Sequence, residues 1–507
     1  MNTRKAAYIL LVVGVAVILT LSFVPYTLVR LSEAGRTVIS SVVPSGAPGT
    51  AVASPPAAPR PSAPEFDVAA WYVSHEEEPE KNGVLIETLD GRRLLASHNA
   101  DTQFNPASLI KLATSLAALR RLGANHRFET SVYTTAAPDA SGTVRGKLHV
   151  ATTDPLFGDV AAAAVARELR ARGVKHVTDG VTVSPGFSFN FSESPDESVE
   201  RLLKALEFKK PAGGGRAKKE GAKGEGGQAR NDNSRNANSK NANGRGANNR
   251  NATGRSANAR NDNAESEQTT EGAREQAETS DVRRPGGRRP GEVPGLGESP
   301  FYAEPPPVAP LFVVESYTLR EVLLYMNVHS SNFVAERIGA LVGGAAGVQQ
   351  LLIDEVKIPA GEVTLSTTSG LEHNRMTPRG LLAVIRALDA ETQRQGLRLQ
   401  DIMPIASDEG TLRHRFKGMP LESAAVGKTG TLVHDDGGMA SLAGVIYTQN
   451  AGPLVFAVLS QGSEVWQNRQ VTDQLLNEII TARDQPQPLP GDTPRRILQH
   501  DGFNVRQ

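Results

Sequence analysis

The chain contains no cysteine among its 507 residues. Disulfides, Cys-ligated metal sites and a thiol nucleophile are therefore excluded, while the redox compartment stays open. Charge imbalance is absent too: 55 Lys+Arg stand against 55 Asp+Glu, so no basic excess points to nucleic acid. A third lack is local. Residues 209–300 hold almost no apolar side chains, and Asn, Arg, Gly and Ala alternate there, as in Arg230-Asn-Asp-Asn-Ser-Arg-Asn-Ala-Asn-Ser-Lys-Asn-Ala-Asn-Gly-Arg245. Such a stretch cannot bury enough surface to offset its chain entropy, so a disordered insertion is expected. Its basic first half suits a tether for anionic polymers, but a tolerated surface insertion is the simpler reading.

Elsewhere apolar residues are plentiful. Arg4 and Lys5 precede an uncharged run, Ala6–Val29, dominated by Ile, Leu and Val. About 20 apolar residues span a bilayer core of ~30 Å, and basic residues ahead of them favour a cytoplasmic N-terminus with export of the rest. No small-x-small cleavage site follows directly, and the run is long for a signal-peptide core. Residues 1–30 are therefore expected to be an uncleaved signal anchor, with a cleaved signal peptide as the alternative. Residues 31–65, rich in Pro, Ala and Ser, read as a semi-extended linker.

Folded sequence is expected from Phe66. Gly83–Leu89 and Arg92–Ser97 read as strands joined by the Asp90-Gly91 turn. A helix follows from near Ser108 to Leu122-Gly123, then strands over 128–134 and 146–152 and an Ala-rich helix over 160–172. After the low-complexity stretch, helical spacing returns at Tyr317–Val328, Phe333–Gly339 and Met376–Leu388. Segments 424–432, 439–447 and 453–460 read as an antiparallel meander, and Val465–Arg483 as a closing amphipathic helix. The Pro-rich tail, 485–507, is expected to be loose. This order predicts an α+β fold, with a five-stranded antiparallel sheet flanked by helices and interrupted by the inserted region.

The chemistry is concentrated in Asn105-Pro-Ala-Ser-Leu-Ile-Lys111. Pro106 suits the first turn of a helix, and residues three apart share a helix face, so the Ser108 hydroxyl and Lys111 amine can meet. Serine needs a base to become a nucleophile, and a neutral lysine can be that base. Helix-terminal N–H groups would suit a developing oxyanion. Ser-x-x-Lys alone is common by chance. Two further motifs follow in order, Ser330-x-Asn332 in a break between helices and Lys428-Thr429-Gly430 on a strand. The ordered set is the signature of penicillin-recognising serine acyltransferases.

Surrounding residues narrow this to a resemblance. Asn105-Pro-Ala-Ser-Leu-Ile-Lys, Met326-Asn-Val-His-Ser-Ser-Asn-Phe-Val-Ala-Glu336, Ser369-Gly-Leu, Asn374-Arg-Met-Thr-Pro378, Glu409-Gly-Thr-Leu-Arg-His-Arg-Phe416 and Lys428-Thr-Gly-Thr-Leu432 are similar to the class C low-molecular-mass penicillin-binding proteins, the serine-type D-Ala-D-Ala carboxypeptidase/endopeptidase family. Thr153-Asp154-Pro155 resembles that family's Gly-Asp-Pro turn. The resemblance implies a transpeptidase-like catalytic unit over 66–135 and 301–484, with a shortened accessory insertion over 136–208. It implies that Ser108 is acylated, Lys111 takes its proton, Ser330 relays a proton to the leaving amine, and Asn332 holds the substrate amide. Lys428, Thr429 and Thr431 would receive the terminal carboxylate, and Gly430 would let substrate lie along the strand. The N–H groups of Ser108 and Thr431 would form the oxyanion hole. No metal or cofactor is implied. The partners implied are stem peptides ending in D-Ala-D-Ala, β-lactams as inhibitors, and the membrane through the N-terminal segment; the address is the bacterial cell envelope.

Two departures stand out. Ser331 replaces the usual Asp of the second motif, and Thr367-Thr-Ser-Gly370 replaces Asp-Gly-Ser-Gly. A β-lactamase would share the three motifs, but no Glu-x-x-x-Asn occurs between Asn332 and Lys428. A non-catalytic scaffold would be favoured by loss of Ser108, Lys111 or Lys428, and all three are present.

Overall fold

The computed structural model describes residues 63–207, 301–489 and 503–506. The N-terminal apolar run and the low-complexity insertion lie outside the described residues; among the described ones, no helix is long and apolar enough to cross a membrane. In chain order the first elements are α1 (Val68–Ser74), β1 (Asn82–Thr88), β2 (Leu94–His98), α2 (Ile110–Leu122), β3 (Arg127–Thr134), β4 (Leu148–Thr152) and α3 (Asp159–Ala171). Then come β5 (Val181–Val183), α4 (Pro195–Ala205), β6 (Phe312–Thr318), α5 (Leu319–Val328), α6 (Asn332–Leu341), α7 (Gly344–Asp354) and α8 (Pro378–Arg394). The last are β7 (Ala425–Leu432), β8 (Met439–Ile446), β9 (Leu454–Gln461), α9 (Val465–Thr481) and β10 (Asn504–Arg506).

The expected α+β architecture is present. The main sheet has five strands in the order β7-β8-β9-β1-β2, antiparallel throughout. Its strands are apolar on both faces because helices cover both. Successive strand side chains point to opposite sides, and the two cores divide accordingly. Leu85, Val426, Ala443, Val445, Val455, Ala457 and Leu459 pack with α2, α5, α6 and α8. Ile86, Ala425, Leu442, Ile446, Phe456 and Val458 pack with α1 and α9. On β7, therefore, even-numbered residues face the helical layer containing α2, and odd-numbered residues face α9.

A second five-stranded sheet, order β10-β6-β3-β4-β5, was not assembled from the sequence. Val132, Val150, Phe312 and Val314 cover Ala162, Val165, Leu169, Val199 and Leu202 from α3 and α4. β3 and β6 thus pair outside the main sheet, in residues the sequence reading included in the catalytic unit (66–135 and 301–484). The helical pattern assigned from Tyr317 also begins later. Residues through Thr318 extend as β6, and a capping box of Thr318 with Glu321 starts α5. The C-terminal tail is not loose where it is described. Gln487 and Leu489 donate backbone N–H groups to Tyr447 O and Ser423 O, each at 2.9 Å, and Asn504–Arg506 adds an edge strand to β6.

Candidate active site

Ser108 sits on a tight turn of 3₁₀ helix, Ala107–Leu109, that leads straight into α2. The turn is held in an uncommon backbone state. Ala107 has φ +50°, in the left-handed region that disfavours a Cβ. Its N–H is taken by Asn105 Oδ1 at 3.0 Å, and the Pro106 carbonyl accepts the Ser441 hydroxyl at 3.0 Å. Asn105 is anchored in turn by donating Nδ2 to Glu372 O at 2.9 Å and Asp436 Oδ2 at 2.5 Å. Asp436 also accepts a two-pronged contact from Arg375, at 2.8 and 3.0 Å. That guanidinium, with help from Asn105, holds the Asp436 carboxyl below its usual range.

One helical turn on, Lys111 is fully buried. Its Nζ donates to Ser108 Oγ at 2.8 Å, Asn332 Oδ1 at 2.7 Å and Ser369 O at 2.6 Å. The expected meeting of Ser108 and Lys111 is therefore present, and the second motif joins it through Asn332. Ser330 has φ +53° at the break between α5 and α6. Ser331 is the N-cap of α6, its hydroxyl accepting the Val334 N–H at 3.3 Å. Serine supplies that cap as aspartate would, so the departure at 331 leaves the local fold intact.

The third motif reaches the same place from the sheet. Lys428, also fully buried, donates Nζ to Ser330 Oγ and Thr429 O, each at 2.8 Å. The two lysines thus lie on either side of the Ser330–Asn332 break. The expected cradle of Lys428 with the Thr429 and Thr431 hydroxyls is divided instead. Lys428 and Gly430 point to the helical layer, whereas Thr431 Oγ1 accepts a hydrogen bond from Arg469 on α9. Gly430 also lies against the nucleophile turn. A Cβ there would lie 2.2 Å from Ser441 Oγ, 2.7 Å from Pro106 O and 3.0 Å from Ala107 Cβ. Its bareness admits the nucleophile turn against β7.

β7 is an edge strand, and its odd-numbered residues turn their backbone polar groups outward. Ala425 O and Gly427 N are bonded to the neighbouring chain at Ala406 N (2.9 Å) and Pro404 O (3.2 Å). By the two-residue period, Thr429 and Thr431 face the same way beyond that covering segment. The Thr431 N–H is thus directed off the edge, beside the Ser108 turn.

Sequence reasoning left six contributors without a role. Glu336 accepts the Ser369 N–H at 2.8 Å and the Thr368 hydroxyl at 2.8 Å, fixing the residue whose carbonyl receives Lys111. Gly370, φ +93°, lies so close to the turn that a Cβ would sit 1.9 Å from Ala107 O and 2.9 Å from Ser108 N. Asn105 and the Arg375–Asp436 pair lock the far side. Asn105, Glu336, Gly370 and Arg375 all fall in the motifs quoted for the resemblance, so a signal was there. Arg469 lies in a segment legible only as amphipathic helix.

Comparisons with known proteins give the family and the fold. The sequence profile of the D-Ala-D-Ala carboxypeptidase 3 (S13) family matches residues 68–191 and 268–480. Among curated relatives, carboxypeptidase DacB of Mycolicibacterium smegmatis is 32% identical over 165 residues, covering 30% of this chain and 35% of that protein. The D-alanyl-D-alanine carboxypeptidase of Actinomadura sp. (strain R39) is 38% identical over 94 residues, 18% of this chain and 17% of that one. The chain thus spans about a third or less of the length of these curated relatives. In fold, a penicillin G-acylated predatory endopeptidase of Bdellovibrio bacteriovorus aligns at TM-score 0.54 and 17% identity, covering 81% of this chain and 96% of that one. Because the profile runs through both arms of the main sheet and takes in Ser108, Lys111, Ser330, Asn332 and Lys428, the chain belongs to the D-Ala-D-Ala carboxypeptidase 3 (S13) family.

Proposed function

We propose that this protein is a serine hydrolase of peptidoglycan stem peptides, a D-Ala-D-Ala carboxypeptidase and/or DD-endopeptidase that works through an acyl-enzyme on Ser108 and binds penicillin. The observation that carries the reading is the buried Lys111 amine, 2.8 Å from Ser108 Oγ and 2.7 Å from Asn332 Oδ1. As a base the amine keeps two N–H donors for Asn332 Oδ1 and Ser369 O and turns its lone pair to the Ser108 hydroxyl, which then donates to it. Ser108 Oγ attacks the carbonyl carbon of the penultimate D-Ala, and its proton passes to Lys111 Nζ. The oxyanion is received by the Ser108 and Thr431 N–H groups. As the carbon–nitrogen bond breaks, Lys111 gives that proton up by way of Ser330 Oγ, which Lys428 holds at 2.8 Å, to the leaving amine, and is again a free base. Water then attacks the ester, Lys111 accepting its proton, and Ser108 is regenerated. Carboxypeptidase and endopeptidase reactions share this acyl-enzyme and differ only in the leaving amine.

The same reading puts the catalytic unit outside the cytoplasm. Arg4 and Lys5 before the Ala6–Val29 run support a single-pass anchor in the bacterial inner or plasma membrane.

Intact-mass spectrometry of the full chain with benzylpenicillin, beside Ser108→Ala, tests the nucleophile. A long-lived adduct on the wild type alone is expected. No adduct with the drug intact would overturn the reading, and no adduct with the drug hydrolysed would make the protein a β-lactamase. Cross-linked and uncross-linked stem peptides then apportion the two hydrolase activities.

A further inference from the structure

The second sheet and α6 meet around a cavity of about 270 Å³ that is lined by none of the residues of the three motifs. One wall is the turn after β4, with Asp154 and Pro155, and another is the loop after β5, with Pro185 and Gly186. α6 closes the third side with Arg337 and Leu341. On that helix Glu336 turns to Ser369, while Arg337, about 100° farther round, lines the cavity.

Two charged groups thus border one small space. Asp154 is 4% exposed, and its Oδ1 accepts the Leu156 N–H at 2.8 Å. Its Oδ2 has no hydrogen-bond partner among the described residues. The Ser316 hydroxyl beside it has a single proton, which is directed to Phe128 O at 3.1 Å. A buried carboxyl oxygen without a donor is costly, the more so once ionised, and this one borders a space that a ligand can fill. Arg337 is steadied on the opposite wall. Its guanidinium stacks over the Phe333 ring, 4.9 Å from the centroid, and donates Nη1 to Gly186 O. A guanidinium has five N–H donors in a plane and pairs readily with a carboxylate.

We propose that this cavity binds a small apolar amino acid as its zwitterion, with the ammonium on Asp154 Oδ2 and the carboxylate on Arg337. A simple amine would meet Arg337 as a like charge, and a simple carboxylate would meet Asp154; a zwitterion answers both walls. Pro155, Pro185, Ala340 and Leu341 offer its side chain apolar surface. Pockets for drug-sized ligands run from roughly 300 to 1,000 Å³, so the occupant here is smaller than those. The site shares no lining residue with the Ser108 centre and does not depend on the acyl-transfer reading.

The test is isothermal titration calorimetry of the full chain with the D and L forms of alanine and leucine. It is run at pH 8, above the value of about 6 to which burial pushes the Asp154 carboxyl. Each amino acid is compared with its amide, which lacks the carboxylate, and with the parent carboxylic acid, which lacks the amine. At least one amino acid is expected to bind with a Kd on the order of 1 mM or tighter, and its amide and parent acid about 10-fold more weakly or less. Asp154→Asn and Arg337→Gln should each weaken it by about 10- to 100-fold. Ala340→Phe, at an exposed position on α6, should fill the cavity and abolish binding while thermal unfolding stays cooperative. Either hand supports the site, and the hand preferred tells a released D-amino acid from a free L-amino acid. No binding by any of the four at millimolar concentration overturns the inference. So does binding that survives Ala340→Phe or both charge variants, since the ligand then sits elsewhere. Failure to take a penicillin adduct would overturn the acyl-transfer reading and leave amino-acid binding as measured.

Discussion

Glu336 Oε1 accepts the Ser369 N–H at 2.8 Å, and the carbonyl of that same Ser369 accepts Lys111 Nζ at 2.6 Å. A carboxylate outside the three motifs thus anchors the residue whose carbonyl orients the lysine. Oε2 of Glu336 also accepts the Thr368 hydroxyl at 2.8 Å, so both oxygens are used. Glu336→Ala takes the acceptor from the Ser369 N–H and frees that residue, while the Thr368 hydroxyl keeps Ala335 O at 3.0 Å. A shift of ~1 Å at a catalytic group costs on the order of 100-fold in rate. The second-order rate of benzylpenicillin acylation is expected to fall by about that factor, with Glu336→Gln intermediate because one oxygen remains. Acylation at the wild-type rate in Glu336→Ala would remove Glu336 from the site.

Gly430 makes a sharper steric prediction. An added Cβ meets Ser441 Oγ at 2.2 Å and the Pro106 carbonyl at 2.7 Å. The hydroxyl can rotate, though it would lose its bond to Pro106 O; the carbonyl is backbone and can yield only by moving the nucleophile turn. Gly430→Ala is expected to lose about 1–3 kcal/mol of stability by overpacking and to acylate far more slowly. Adding Ser441→Gly removes one clash and leaves the backbone one. If the double variant recovered wild-type acylation, Gly430 would be needed only for the hydroxyl and not for the turn.

How far the sequence was legible follows from where each signal lies. Short apolar-rich runs bounded by turn residues identified all five strands of the main sheet, because helices cover both of its faces. The three motifs were readable because serine, lysine and asparagine are chemically distinctive at short spacing. What escaped depends on long-range contact. Lys428 and Thr431 are three residues apart, yet the pleat sends them to opposite faces, and only the neighbouring helices make that separation matter. Ser369 is read by Lys111 from 258 residues away through its carbonyl, which no side-chain pattern records. The end of β6, Tyr317-Thr318, was absorbed into a helix and the rest of that strand went unread, although Thr318 and Glu321 form a capping box that marks where the helix begins.

Asp436 ties Arg375 to Asn105, and the ion pair depresses its carboxyl pKa. A carboxyl that ionises more readily in the folded state than in the unfolded one stabilises the fold wherever it is ionised. That contribution is complete above the ordinary value of 3.8 and disappears as pH falls through the depressed folded value. Asp436 has φ +54°, which asparagine tolerates, so Asp436→Asn removes the charge with little backbone penalty. The variant is expected to be less stable than wild type at pH 7 and to converge with it under strong acid. Unfolding midpoints that differ equally at pH 7 and pH 2 would show that the ion pair contributes nothing specific.

Asp154 behaves in the opposite sense. It lies at the head of the Asp154-Pro155 turn, 4% exposed, with Oδ1 accepting the Leu156 N–H at 2.8 Å. Burial outweighs that hydrogen bond and pushes its carboxyl up to about 6, against an ordinary 3.8. Between those values the folded chain holds a proton that the unfolded chain has released. Stability therefore falls as pH rises through this window, by on the order of 3 kcal/mol in total, and above it the fold carries a buried carboxylate. Asp154→Asn keeps an acceptor for Leu156 and cannot ionise. Its unfolding free energy should lack the decline between pH 4 and pH 6, so its advantage over the wild type grows across that window and is constant above it. Denaturant titrations at pH 4, 5, 6 and 7 measure this directly. Parallel profiles for the two proteins would mean that Asp154 titrates near its ordinary value and that the turn tolerates its charge without cost.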